Sequence, residues 1–219
     1  DSVWADREFM LEAVKSSSDA LEFASDTLKA DREVVLAAIR GNDFGFGDGE
    51  GPLQYADESL GADREVVLEA VKQNGYALEY ASDSLQDDRE LVLEAVKTYG
   101  RALQYASDTL NADPEVMLEA VRNNGNALEY ASDTLKADRE VVLEAIKVEG
   151  RALQYADESL WADREFMLEA VKSSGFTTQF ASDALKADRE FVLEAVKSRG
   201  NALLYADDSF KADREIVLE

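Results

Sequence analysis

The sequence predicts an all-α protein, an α-solenoid of about nine 25-residue helix-turn-helix repeats. Three observations predict it: an Ala-Asp-Arg-Glu signature at fixed spacing, an apolar stripe of helical period behind each signature, and a glycine shortly after each stripe. The signature aspartate falls at Asp6, Asp31, Asp63, Asp138, Asp163, Asp188 and Asp213, with variants at Asp88 and Asp113. Successive signatures lie 25 residues apart, except for one step of 32 between Asp31 and Asp63.

The helix that opens each repeat is marked at both ends. In the repeat at Asp63, the apolar residues Val66, Val67, Ala70 and Val71 share one helical face, and Leu68 widens it. Asp63 stands at the N-cap, Glu65 suits the positive end of the helix dipole, and Pro114 falls at the first helical position behind Asp113. Gly75, Gly100, Gly125, Gly150, Gly175 and Gly200 follow the helix, where a left-handed residue is expected to end it. In the segment after the glycine, Ala77, Leu78, Ala81 and Leu85 share a face, with Tyr80 beside it. Each repeat is thus expected to hold two helices of about ten residues, too short to stand alone and stable only when stacked on neighbours.

Residues 1–219 are read as one continuous array, interrupted by an inserted Gly-rich loop at 41–52. The insertion falls between a first helix ending near Arg40 and a second starting near Leu53. The helical pattern is still running at Glu219, so the array is expected to be a piece of a longer chain.

The pattern Asp-Arg-Glu-Val-Val-Leu-Glu-Ala-Val-Lys, then Gly and Ala-Leu-Glu-Tyr-Ala-Ser, resembles the short helical repeats of domain-of-unknown-function family four-one-one-six. Nearly the whole chain carries the resemblance. Similar arrays occur in algae and other protists, amoeba-associated bacteria and large viruses, and the resemblance implies a repeat fold without supplying a catalytic residue. Thr177-Thr178-Gln179-Phe180 departs from the pattern by placing Thr178 where other units have a core leucine.

Composition narrows the function classes. The chain has 46% hydrophobic residues, 23 Lys plus Arg against 47 Asp plus Glu, no histidine and no cysteine, and a formal charge of −24. Such a surface repels nucleic-acid backbones and anionic lipids and attracts cations and basic protein patches. No apolar run approaches the roughly 20 residues of a transmembrane helix. The chain is expected to be soluble, and nothing in it specifies a compartment.

Without histidine or cysteine the commonest general base, the thiolate nucleophile and the zinc ligands are missing, so no enzyme activity and no cofactor are expected. The serines of the Ser-Asp-Ser/Thr-Leu turns are expected to satisfy backbone groups. The carboxylate pairs Asp57-Glu58, Asp87-Asp88, Asp157-Glu158 and Asp207-Asp208 recur by repeat and read as an acidic ridge. In the inserted loop, Asp43, Asp48 and Glu50 are weak candidates for Ca²⁺, with spacing that fits no EF-hand. Phe44 and Phe46 there are candidate hydrophobic hooks.

The residues that vary between repeats lie before Ala-Asp and around the glycine, and their aromatics Trp4, Trp161, Tyr76, Tyr99 and Phe176 are the partner-binding candidates. The expected function is a non-catalytic scaffold or linker that binds other proteins, through their basic patches, within a multi-subunit assembly. The alternative is a substrate-recruiting arm of an enzyme whose catalytic domain lies outside this segment. Low-affinity Ca²⁺ binding and nucleic-acid mimicry stand behind both.

Overall fold

The computed structural model describes residues 3–41 and 51–219, and among these every regular element is helical. The chain divides into two compact units, Asp1–Leu110 and Asn111–Glu219, each a stack of tandem helical repeats of the α-solenoid class.

The first helix of each repeat forms as its sequence dictates. The helix Arg64–Gln73 starts behind Asp63, whose carboxylate accepts the N–H groups of Glu65 and Val66 at 3.0 and 3.2 Å. Helix Pro114–Asn123 starts in the same way, with Asp113 as its cap and proline first. Val66, Val67, Ala70 and Val71 are buried, as are their counterparts in the five ten-residue helices that follow. Fully burying one such valine or leucine side chain contributes about 1.5–3 kcal/mol, which is what makes a ten-residue helix viable.

The second half of each repeat is not the single helix expected. It is a six-residue 3-10 helix, Gly75–Tyr80, followed by a four-residue α-turn, Asp83–Gln86. Ala81 and Ser82 between them are extended, at φ −76° and −63° with ψ near 150°. A tertiary bond causes this break: the N–H of Ser82 turns away from its own segment to the carbonyl of Gly61, 2.8 Å off.

The same bond recurs from repeat to repeat. In the first unit Ser25, Asp57, Ser82 and Ser107 donate to the carbonyls of Trp4, Lys29, Gly61 and Gln86, at 2.8–3.1 Å. In the second, Ser132, Asp157, Ser182 and Asp207 donate to Asn111, Lys136, Trp161 and Lys186. The short turns are thereby linked head to tail through the residue before each Ala-Asp. Only a carbonyl is required there, which explains why its side chain varies so freely.

Where that link residue is serine the turn is α-helical, and the hydroxyls of Ser107, Ser132 and Ser182 accept the N–H three residues on, from Leu110, Leu135 and Leu185 at 3.3–3.4 Å. Where it is aspartate, the carboxylate accepts the N–H two residues on, as Asp57 does from Ser59 at 3.0 Å, and the turn tightens to 3-10 over Glu58–Ala62. The hydroxyls of Ser107, Ser132 and Ser182 therefore serve the backbone, as the sequence predicts, whereas those of Ser59 and Ser209 donate to the carboxylates of Asp57 and Asp207.

The glycines also act differently from expectation. The long helix ends on an extended residue, Asn74 at φ −150°, and Gly75 opens the 3-10 helix without a left-handed conformation. Among the described residues only Gly51, just past the insertion, has positive φ, at 77°. On either side of the insertion the helices end and begin as predicted, at Arg32–Arg40 and Pro52–Tyr55.

Candidate interaction surface

The charged signature forms the first layer of the surface. Its arginine reaches forward to the next repeat rather than pairing locally. Arg7 contacts Asp31 at 2.7 Å and also Glu33; Arg32 contacts Asp63 at 2.7 Å and also Glu65; Arg64 contacts Asp88 and Glu90, both at 2.7 Å. In the second unit Arg139 lies 2.8 Å from Asp163, and Arg189 lies 3.1 Å from Asp213. Each of these guanidinium groups joins the cap of the following helix to its first-turn glutamate, whereas Arg164 reaches Glu194 at 3.2 Å instead. Hydrogen bonding to the guanidinium holds the carboxyls of Asp31, Asp63, Asp88 and Asp213 below the usual carboxylate range, against an opposing push from desolvation. Pro114 removes the guanidinium at the one rung that would have led to Asp138.

A different edge carries the carboxylates left facing solvent. The stacked short turns expose Asp26, Glu58, Asp83 and Asp108 in the first unit and Asp133, Glu158, Asp183 and Asp208 in the second. Each repeat therefore contributes one exposed carboxylate at the first turn of its short element. Of the carboxylate pairs expected to form an acidic ridge, Glu58, Glu158 and Asp208 lie in this row, whereas Asp88 caps a helix and pairs with Arg64, and Asp87 accepts from the Ser107 hydroxyl. Asp57, Asp157 and Asp207 are instead taken up as caps, their carboxyls held low by the hydroxyl and N–H of the serine two residues on. Among the described residues no group of three or more carboxylates converges to hold a metal ion.

The aromatic candidates divide into exposed and half-buried. Tyr76 and Tyr99 are half-buried, because the residue after one glycine meets the residue before the next. Their ring centroids are 5.8 Å apart, and Tyr105 meets Tyr76 edge-on at 5.4 Å. Burial, followed by its bond to Tyr76, pushes the Tyr105 phenol up. Asn126 and Glu149 occupy the corresponding positions in the second unit and are joined by a 3.0 Å bond from the Asn126 amide. Variation around the glycine is therefore pairwise: what changes in one repeat meets what changes in the next.

Trp161 is likewise half-buried, 6.0 Å from Phe180, and its indole N–H has no acceptor among the described residues. Trp4 is exposed and packs on Phe9 and Phe23 at 5.6 and 5.4 Å. Phe176 is the rim aromatic with an open face, 41% exposed, with Tyr205 at 6.4 Å and the Arg151 guanidinium 5.4 Å over its ring. Phe44, Phe46, Asp43, Asp48 and Glu50 lie outside the described residues.

A residue that sequence reasoning missed completes this place. Val148 is 50% exposed and lines, with Glu149, Arg151, Ser174 and Phe176, a hollow of about 380 Å³. The signal was present in the sequence: the corresponding positions of the other repeats hold Ser16, Gly41, Gln73, Thr98, Asn123, Ser173 and Ser198, so Val148 is the one branched apolar side chain there.

No helix among the described residues is long and apolar enough to cross a membrane. The family model described as a domain of unknown function, DUF4116, matches residues 6–61, 50–86, 63–111, 88–136, 113–161, 138–186, 163–211 and 188–219, tiling the array in overlapping steps. No curated protein and no solved structure matches the chain.

Proposed function

The chain belongs to the family of the domain of unknown function DUF4116, and on that premise we propose that it is a non-catalytic scaffold or linker that holds basic partner proteins within a larger assembly. The observation that carries the reading is the exposed carboxylate that every short turn presents, four in each unit. A row of like charges at repeat spacing gives a basic partner many equivalent rungs and steers its approach. With a formal charge of −24, that attraction extends over the whole chain.

The test is capture of the intact protein with its partners from its native source at low salt, followed by crosslinking and mass spectrometry. The expected result is a discrete complex, crosslinked along the short turns and released as ionic strength rises past about 0.1 M, where the screening length falls to roughly 10 Å. Replacing Asp83, Asp133 and Asp183 by asparagine should weaken it. A protein that runs alone at every concentration, with nothing recovered at low salt, would sink the reading.

A further inference from the structure

We propose that the hollow between Val148 and Phe176 is a docking site for a protein segment that inserts an apolar side chain and lays a neighbouring carboxylate on Arg151. The inference rests on the reading of the array as a protein-binding scaffold and names one contact that reading leaves open.

Three independent features meet in the hollow. The first is exposure of two apolar side chains on adjacent repeats, Val148 at 50% and Phe176 at 41%. The positions matching Phe176 hold Asp19, Arg101, Asn126, Arg151 and Asn201, or a tyrosine that is half-buried, Tyr76. The second is space: the hollow of about 380 Å³ is also lined by Gly150, which packs so closely on the next repeat that a Cβ there would sit 2.2 Å from the Ser174 hydroxyl.

The third feature is charge. Whereas Arg139 and Arg189 join carboxylates of the next repeat, Arg151 forms no ion pair among the described residues, and its guanidinium carbon lies 5.4 Å over the centre of the Phe176 ring. Glu149, the nearest carboxylate of the lining, is already engaged by the Asn126 amide. A guanidinium with no ion-pair partner keeps N–H groups for a planar acceptor, and a carboxylate matches that fork in two parallel bonds. An apolar side chain over Val148 and Phe176, with a carboxylate one residue away, uses both.

The test is an NMR titration of the 219-residue protein with the blocked peptide acetyl-Gly-Leu-Asp-Gly-amide, and in parallel with its Gly-Leu-Asn-Gly counterpart. The expected result is saturable shifts of the Val148 methyls, the Phe176 ring and the Arg151 guanidinium. The aspartate peptide should bind about two- to five-fold more tightly, the size of a half-exposed ion pair. Arg151→Gln should erase that preference while leaving weak binding of both peptides, and Phe176→Ser should remove both. Each side chain is exposed, and unchanged spectra elsewhere will show that the variants are folded.

Shifts that never saturate, equal binding of the two peptides, or saturation at another place on the array would overturn the proposal. The titration needs no native partner. A hollow that refuses the peptide is therefore overturned even if a complex is recovered from the native source, and a hollow that takes it stands even if none is.

Discussion

Gly75 lies so close to Ala95 of the next long helix that a Cβ on the glycine would sit 2.1 Å from the Ala95 carbonyl oxygen. Gly125 stands in the same relation to Ala145, at 2.4 Å. At these two places the glycine is thus a packing residue. Backbone cannot yield as a side-chain tip can, so Gly75→Ala should destabilise the protein by about 1–3 kcal/mol. At Gly200 nothing lies within 4 Å of the place a Cβ would take and φ is ordinary, so Gly200→Ala should be neutral or stabilise by about 0.4–1 kcal/mol. Urea unfolding of both variants checks this, and equal losses would contradict the packing account.

Thr178 is buried, and its hydroxyl has no hydrogen-bond partner among the described residues. Leu78, Leu103, Leu128 and Leu153 fill the same place elsewhere and are fully buried. The 3-10 helix Gly175–Phe180 survives the exchange, so its cost is an unsatisfied hydroxyl and lost apolar contact rather than lost structure. Thr178→Leu should raise stability by about 1–2 kcal/mol, through relief of that hydroxyl and added burial. A fall in the melting temperature would mean that neighbouring side chains have already closed the space.

Asp63 combines a helix cap with an ion pair to Arg32. Asparagine can keep the cap and lose the charge, whereas alanine loses both. Asp63→Ala should therefore cost about 0.5–2 kcal/mol and Asp63→Asn distinctly less, with the asparagine deficit shrinking in about 1 M salt. A deficit for asparagine that equals that of alanine at every salt concentration would show that the pair, and not the cap, fixes the helix start.

The carboxyls of Asp31, Asp63, Asp88 and Asp213 are held below their ordinary values by guanidinium groups. A group with a depressed native pKa stabilises the fold above its unfolded value of about 3.9 and loses that contribution as pH falls through the native value. The inter-repeat pairs should therefore persist at about pH 5 and be lost progressively below pH ~4. Thermal unfolding followed by circular dichroism across that range should show a steep fall at the acid end, shallower in a variant with Arg64→Gln. An identical acid limb in that variant would exclude the pairs as its cause.

Local signals in the chain determined the repeat period, the start of each long helix at its aspartate, the buried stripe and the placement of Pro114. The helix starts and the stripe depend on residues a turn or two apart and the period on simple recurrence along the chain, so capping chemistry and periodicity expose them. The tertiary structure decided what depends on stacking: the break at Ala81 and Ser82, made by a bond to Gly61; the reach of Arg64 to Asp88; and the close packing of Gly75 on Ala95. Which aromatics face solvent was decided there too, as one pair shows. Residues 5–17 and 162–174 are identical, yet Phe9 is 43% exposed while Phe166 is fully buried beneath the neighbouring repeat, with Arg139 5.7 Å over its ring. A sequence states what each repeat offers to a neighbour, but the burial of a side chain is settled by what the neighbour places against it.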